Sequence, residues 1–360
     1  MVKHKQTTFH LLLATIAAVA LLPPAAGAQD GMAQEQAEER REMGQMKDEI
    51  QGIKSEMNDA IEQINQVGQN LSQPDHVREI HLFVKRAACE VAPGVSVDCL
   101  TYNGKMPGPI IRAGEGEAVR VVLHNQSDVA TSLSFQGLLL PQNVAGLPRK
   151  GSGLVEPGQT YAYQFVAKQP GTYWYHPQIN HADQKGLGLA GALVIDGAGQ
   201  TKSYDRELVV ILGSMRVRAA QSAASRLPAS ARPALVSTSG TTGGANYFLF
   251  NGKSAPAIPA VELHEGERVR LRVINAGQIA IPLSLSGHRF EVVAVNGSDQ
   301  LEPHTFRDTV TLNPSDRYDL EFTANNPGVW SLSSELFDQS TTEGRFPGGI
   351  ACVVRYGENK

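Results

Sequence analysis

Apolar residues recur at alternating three- and four-residue spacings along one early segment of the chain. They are Met43, Met46, Ile50, Ile53, Met57, Ala60, Ile64, Val67 and Leu71. This is the heptad pattern of a coiled coil. A helix with so narrow an apolar stripe does not bury itself alone, so the pattern predicts a self-associating helix within residues 29–74. Packing of the helix against its own chain is the alternative, although such helices usually have a wider stripe.

From Val77 onward the pattern changes to short runs that are rich in β-branched and aromatic residues. Residues 118–123 and 161–165 are two such runs, and Gly and Pro turns separate the runs from one another. Short strands at this spacing are typical of a β-sandwich. The sequence therefore predicts that the chain is all-β after the helix.

The β-rich part of the chain repeats its own motifs, which indicates two copies of one sandwich. Residues 102–105 (YNGK) return as residues 250–253 (FNGK). We expect the first domain over residues 75–197 and the second over residues 246–360. Residues 198–245 are interpreted as a linker, because much of this segment is rich in Ala, Ser, Thr and Gly and offers no core.

Residues 1–28 have the composition of a secretory signal peptide. Lys3 lies in a basic stretch, an apolar run follows from Leu11 to Leu22, and residues 26–28 (AGA) provide a small-residue cleavage site. The apolar run is shorter than the roughly 20 residues that cross a bilayer, which disfavours the alternative of an uncleaved anchor. We expect a periplasmic or secreted protein with no transmembrane segment in the mature chain.

The charge balance bears on possible partners, and the cysteines bear on a possible disulfide. The 32 Lys and Arg residues nearly balance the 36 Asp and Glu residues, so nothing in the charge indicates a nucleic-acid partner. Cys89 and Cys99 flank a turn-like segment. Export to an oxidising compartment favours a disulfide between them, with two buried thiols as the alternative. Cys352 lies in an apolar run and is interpreted as a core residue.

Several motifs, in the same order along the chain, resemble those of the multicopper oxidases. Residues 103–111 and 170–177 resemble parts of that family's first domain, and residues 287–290 and 326–330 resemble its final, ligand-bearing domain. The resemblance implies two cupredoxin-like Greek-key β-sandwich domains, here preceded by the α-helical coiled coil. Two-domain laccases and copper nitrite reductases, which this arrangement resembles, form homotrimers. A homotrimer would fit the heptads as well.

The copper-ligand positions that this resemblance implies are mostly changed in the first domain. The family has a His-x-His-Gly pair where this chain has Ser134 and Gln136. A second pair, His-Pro-His, keeps His176 but has Gln178 in place of its partner. Imidazole donors are therefore missing at three of these four positions.

The final domain has lost the corresponding ligands. Ile281, Ser284 and Ser286 stand at the histidine positions, and residues 331–336 contain neither Cys nor His where the family has His-Cys-His. His288 remains, but its counterpart is not a ligand in the family, and we interpret it as a structural hydrogen-bonding residue. A blue copper site needs a thiolate and two imidazoles. We therefore expect no cofactor; copper is the metal to consider if one binds.

One group of residues retains donors in a segment that the family uses for ligation. His176, His181 and Asp183 would suit a single zinc or cupric ion with an open position. The alternative is a hydrogen-bonded His176 beside an ordinary loop histidine. No catalytic residue and no organic cofactor site is predicted.

These observations favour an exported, multicopper-oxidase-like protein that is catalytically inactive. It would act as a periplasmic binding or scaffold protein assembled through its coiled coil, with itself and another periplasmic protein as the partners to consider. A divergent copper-dependent oxidoreductase, laccase-like or nitrite-reductase-like with a reduced metal site, is the alternative. A copper- or zinc-binding protein is the second alternative.

Overall fold

The computed structural model describes most of the chain after residue 76 and a short segment before it. The described residues are 41, 43–48, 50–54, 77–145, 147–179, 181–199, 204–217, 245–299, 305–342 and 344–357. The chain divides into two compact units, with the boundary between Gln73 and Pro74. The predicted signal peptide lies outside the described residues.

The described part of the first unit is helical. Residues 41, 43–48 and 50–54 belong to this helix, α1, and the four apolar stripe residues within it are exposed: Met43, Met46, Ile50 and Ile53. Four of the nine residues of the predicted heptad series thus lie on a described helix. The other five, from Met57 to Leu71, lie outside the described residues, and the coiled coil stays a prediction. No helix in the part of the chain that the structure describes has the length and apolarity that a membrane crossing needs.

The second unit begins with a β-sandwich that contains most of the predicted first domain. Its elements are β1 (Val77–Ala92), β2 (Val95–Tyr102), β3 (Ile111–Gly114), β4 (Ala118–Asn125), β5 (Ser134–Gln136), α2 (Gln142–Ala145), β6 (Arg149–Lys150), β7 (Gly153–Leu154), β8 (Thr160–Val166), β9 (Gly171–His176), α3 (His181–Gly186) and β10 (Gly191–Asp196). The two sheets have the strand orders β2-β1-β4-β8 and β3-β10-β9-β5. Apolar side chains of both sheets, among them Leu82, Val121 and Leu193, form one buried core.

A second sandwich follows with the same plan. Its elements are β11 (Arg206–Met215), β12 (Tyr247–Phe250), β13 (Val261–Leu263), β14 (Arg268–Asn275), β15 (Ile281–Leu285), β16 (Phe290–Val295), β17 (Ser298–Asp299), β18 (Thr305–Arg307), β19 (Thr309–Leu312), β20 (Arg317–Thr323), β21 (Val329–Ser334), α4 (Phe337–Ser340) and β22 (Ala351–Tyr356). One sheet runs β12-β11-β14-β20-β16-β17 with β18 beside β16, and the other runs β13-β22-β21-β15-β19. The order of β12, β11, β14 and β20 repeats that of β2, β1, β4 and β8.

The repeated Asn-Gly pair makes the same turn in both sandwiches. Asn103 and Asn251 have φ of 57° and 48°, and the glycines that follow have φ of 74° and 78°. Positive φ at both central residues is the requirement of a type I′ turn, which Asn-Gly meets best. The Asn103 side chain accepts from the backbone N–H of Phe83, and Asn251 accepts from that of Ile211, at 2.7 Å in each case. The duplication read from the sequence is thus confirmed.

The linker prediction over residues 198–245 is wrong at β11. This strand pairs in parallel with β14 and antiparallel with β12, and Val210 and Leu212 from it enter the core of the second sandwich. β11 is the counterpart of β1, so the second domain begins near Arg206 instead of residue 246. In the first sandwich the corresponding strands are joined by a tight turn. In the second a long Ala-, Ser-, Thr- and Gly-rich insertion separates them, and its composition concealed the strand before it.

Buried polar groups join the two sandwiches. Arg272 donates to Asp319 at 2.5 Å, to Glu207 at 2.6 Å and to the Thr172 hydroxyl at 2.9 Å. Thr172 lies in the first sandwich, and its hydroxyl donates to Asp319 at 2.5 Å. Arg112, also in the first sandwich, pairs with Glu207 at 2.6 Å. The Arg112–Glu207 ion pair and the bonds of Thr172 cross the boundary, whereas Arg272 pairs with Asp319 and Glu207 within the second sandwich. Buried charges are paired in this way in folded proteins.

Candidate functional site

His176 stands at the end of β9 and is buried at 7% exposure. Its Nδ1 lies 2.8 Å from the carbonyl oxygen of Pro177, and its Nε2 lies 3.4 Å from the side-chain oxygen of Gln136. The pairing of β5 with β9, which sets Ser134 opposite His176, brings Gln136 to this position. The ring also packs on Trp174, with centroids 4.2 Å apart. A carbonyl only accepts, so Nδ1 bears the proton and the neutral ring has its lone pair on Nε2. The Gln136 oxygen is also an acceptor and makes no hydrogen bond to Nε2 in this form.

The predicted partners of His176 follow in helix α3. His181 begins this helix and Asp183 lies within it, but both side chains lie outside the described residues. Among the side chains that the structure describes, no three His, Cys, Asp or Glu are arranged to hold a metal ion. The site of His176, His181 and Asp183 therefore stays a prediction.

The final-domain ligand positions form a polar network of their own. Ser334 donates from its hydroxyl to the side-chain oxygen of Gln339 at 2.7 Å. The amide nitrogen of Gln339 donates to the backbone oxygen of Ala280 at 2.8 Å. Ser284, beside them on β15, donates to the carboxylate of Glu335. Ser334 and Gln339 are buried, at 4% and 3% exposure, and their hydrogen bonds satisfy them within the protein.

The first sandwich contains a buried glutamine with corresponding hydrogen bonds. Gln184 of α3, buried at 3% exposure, accepts from the Thr131 hydroxyl and donates to the backbone oxygen of Ala130, both at 2.8 Å. Gln184 and Gln339 each lie on a short helix after the equivalent strand, β9 or β21. Gln184 joins α3 to the backbone just before β5, and Gln339 joins α4 to the backbone just before β15. Sequence analysis missed both glutamines, because an isolated Gln in a polar segment gives no signal until the strands are assembled.

His288 has the structural role that we predicted. Its Nδ1 lies 3.0 Å from the backbone oxygen of Ser286, and its Nε2 lies 2.6 Å from the hydroxyl of Tyr356. The ring packs edge-on against Trp330. Both nitrogens are therefore engaged by protein groups next to the second sandwich core.

All three cysteines lie in the described residues and are free thiols. Cys99 faces Ala87 across the β1–β2 pair while Cys89 faces Val97, so the two thiols are diagonal neighbours and not directly opposed. A hydrogen bond with Cys99 lowers the pKa of Cys89, and the same contact raises that of Cys99. The structure thus places the two sulfurs together without the bond, and the disulfide stays a prediction. Cys352 is a core residue as predicted, and burial raises its pKa to about 11.

Comparison with known proteins points to one family along both sandwiches. Family models described as multicopper oxidase match residues 84–200 and 228–340, which together make up more than half of the chain. Multicopper oxidase MmcO of Mycobacterium tuberculosis is 28% identical over 259 residues, which are 66% of this chain and 50% of that protein. Copper resistance protein A of Pseudomonas syringae is 40% identical over 114 residues, 31% of this chain and 18% of that protein. The chain thus spans half or less of the length of these relatives.

Solved structures agree with this architecture. Blue copper oxidase from Nitrosomonas europaea matches with a TM-score of 0.68 and 26% identity, over 78% of this chain and 86% of that one. Copper nitrite reductase from the same organism matches with a TM-score of 0.64 and 19% identity, over 79% of this chain and 95% of that one. The second likeness shows the fold alone.

Proposed function

We propose that this chain, which belongs to the multicopper oxidase family, is an exported binding or scaffold protein that does not build the family's copper centres. One observation supports this most directly. Ser334, in the segment where the final domain would need a thiolate and imidazoles, donates to Gln339, which in turn donates to the backbone oxygen of Ala280.

The chemistry of this network disfavours copper. Neutral hydroxyl and amide groups offer a metal only oxygen ligands, whereas an electron-transfer copper site requires a thiolate with imidazoles. A metal ion at this place would have to break the hydrogen bonds of Ser334 and Gln339. Each buried polar atom left without a partner would then cost about 1–3 kcal/mol. The fold is retained around the lost centre, which suits a protein whose function lies on its surface.

Assembly through the N-terminal helix is part of the same proposal. Four stripe residues of α1 are exposed, and Ile53 is 58% exposed. Apolar side chains at heptad spacing are buried when parallel helices of several copies pair. We propose a homotrimer in which the helices join the copies and leave the sandwiches to bind another periplasmic protein.

A divergent copper-dependent oxidoreductase is the alternative, and His176 favours it. The Nδ1–H of His176 is directed at a backbone carbonyl, which is how metal-ligating histidines are commonly oriented. The relatives of this chain are named oxidases. In this case the metal would lie at Nε2 of His176, near His181 and Asp183.

Spectroscopy of the copper-treated, purified protein tests the proposal. We expect no thiolate-to-copper charge-transfer band and no oxygen uptake with phenols, in contrast to a blue copper oxidase measured beside it. A charge-transfer band, or oxygen uptake by the wild type, would overturn the proposal. Loss of that uptake in His176→Ala would then assign the activity to the alternative site.

A further inference from the structure

Two histidines that are distant in sequence meet on the outer face of the first sandwich. His81 Nδ1 lies 2.9 Å from His124 Nε2, and the two rings stack with centroids 5.2 Å apart. Phe83 lies flat on the His124 ring at 4.5 Å, with 13° between the planes. The His81 side chain is 46% exposed, so the pair lies at the protein surface.

The sheet register produces this meeting. β1 runs parallel to β4 with Phe83 beside His124, and β4 runs antiparallel to β8 with His124 opposite Thr160. Side chains alternate between faces along a strand, so Leu82 enters the core while His81 and Phe83 point outward. The backbone of His81 is fixed further by its carbonyl, which accepts from the side chain of Asn103 at 3.1 Å.

The outer nitrogens of both rings are held by protein groups. His81 Nε2 lies 3.0 Å from a carboxylate oxygen of Glu79, and His124 Nδ1 lies 3.0 Å from the Thr160 hydroxyl. Because a carboxylate only accepts, His81 donates from Nε2 and has a lone pair on Nδ1. His124 then donates from Nε2 to that lone pair and accepts from Thr160. A hydroxyl both donates and accepts, so His124 is free to move its proton to Nδ1 and direct a second lone pair inward.

We propose that His81 and His124 form a surface site for one divalent transition-metal cation, with Cu²⁺ as the preferred ion. In the bound form the cation takes the place of the proton between the two inner nitrogens. His124 keeps a proton on Nδ1 and donates it to Thr160, so no proton is released. Glu79 orients His81 as carboxylates orient metal-ligating histidines elsewhere, and Arg120 holds the other Glu79 oxygen at 3.3 Å.

The distance between the inner nitrogens selects among metals. With metal–nitrogen distances of about 2.0 Å, an ion between nitrogens 2.9 Å apart makes an N–metal–N angle of about 90°. That angle suits the square-planar and tetragonal sites of Cu²⁺ and Ni²⁺, whereas tetrahedral zinc needs about 109°. The intrinsic preference of nitrogen sites also places Cu²⁺ above Ni²⁺ and Zn²⁺. We expect affinity to fall in the order Cu²⁺, Ni²⁺, Zn²⁺.

This site is independent of the proposed function. It lies on β1, β4 and β8, away from the ligand positions of the family, and requires neither thiolate nor His176. A protein without an oxidase centre would still bind a cation here, and a working oxidase centre would not create the site.

Calorimetric titration of the full chain with copper(II) chloride, together with electron paramagnetic resonance, tests the proposal. We expect one Cu²⁺ per chain at this site, with hyperfine structure from two nitrogens. His81→Gln and His124→Gln should each weaken binding more than tenfold and remove that signature. Glu79→Gln keeps both ligands and should weaken binding by about tenfold.

His264→Gln is the matched control, because His264 is an exposed histidine outside the cluster, and it should bind as the wild type does. Thermal melts of every variant verify the fold. Wild-type affinity in His81→Gln would overturn the proposal, since the pair would then be a hydrogen bond only. Loss of copper in His176→Ala but not in His81→Gln would assign the ion to the other site and would also overturn it.

Discussion

At the scale of single residues, the sequence shows what has been lost but not what replaces it. The missing Cys and His donors are read directly from residues 331–336. The hydrogen-bond partners that replace them cannot be read in the same way. Gln339, the partner of Ser334, bonds to a backbone oxygen 59 positions away in sequence. The sequence assigns no role to His81 and His124, because they lie 43 positions apart and meet only through the β1–β4 register. Contacts of this kind depend on strand order, which composition and spacing do not specify.

The two buried glutamines lead to a stability prediction. Gln339→Ala removes the partner of Ser334 and leaves the Ala280 oxygen unsatisfied, so it should lower the free energy of unfolding by about 2 kcal/mol. Gln184→Ala should have a similar effect in the first sandwich. Gln164→Ala, on the exposed face of β8, serves as the control and should change stability by less than about 0.5 kcal/mol. Urea unfolding measures all three, and equal midpoints for Gln339→Ala and Gln164→Ala would contradict a structural role for the network.

At the scale of elements, pattern was a better guide than composition. The apolar run within Arg206–Met215 is a buried strand, yet it was assigned to the linker because the insertion after it is rich in small residues. The duplication itself contained the missing information. Two strands, β1 and β2, precede the Asn-Gly motif in the first sandwich, so copies of both must precede the second motif. The periodicity alone predicts the N-terminal helix, and the described residues within 41–54 are helical.

The stripe on α1 leads to a prediction about association. Ile50→Asp with Ile53→Asp puts charges at the predicted seam, where they would have to lose their hydration. The mass measured by light scattering should therefore fall, as it should on deletion of residues 29–74. Gln45→Asp with Gln51→Asp adds the same charge off the stripe and should leave the mass unchanged. A constant mass in both double variants would show that the helix does not join the copies.

At the scale of the larger unit, the two sandwiches are joined by paired charged and polar groups and by apolar clusters that contain residues of both, such as Trp174 with Ile211. Duplication and fold class were predictable, because they follow from repeated motifs and short apolar runs. The boundary between the sandwiches was not, because Arg112, Glu207 and Arg272 are widely separated charges that look solvent-exposed in sequence. The side chains of Arg272 and Glu207 are only 6% and 12% exposed, and burial without pairing would be prohibitive for both. Each sandwich therefore depends for part of its stability on the other sandwich being docked against it.

Glu207 gives this coupling a measurable pH dependence. Burial alone would raise the pKa of Glu207, but hydrogen bonding and charge from Arg272, with a further hydrogen bond from Arg112, lower it from the ordinary 4.5 to about 2. A carboxyl whose pKa is lower in the folded protein stabilises it above its unfolded pKa. That contribution, about 3 kcal/mol by linkage, is lost as the pH falls from about 4.5 to 2. At pH 7 the free energy of unfolding of Glu207→Gln should thus be lower than that of the wild type by about 3 kcal/mol.

The difference between wild type and Glu207→Gln should then shrink as unfolding is measured at pH 7, 4.5 and 3. Burial raises the pKa of neighbouring Asp319, so that residue responds to acid in the opposite direction, and the comparison with Glu207→Gln separates the two effects. Glu262→Gln is the control, because Glu262 makes an exposed ion pair with Arg355, and such pairs contribute less than about 1 kcal/mol. If the Glu207→Gln difference stayed constant across this range, the charge of Glu207 would not be what joins Arg112 to Arg272. The two sandwiches would then be held together by their remaining contacts, which include the bonds of Thr172 to Asp319 and Arg272 and the apolar cluster around Trp174 and Ile211.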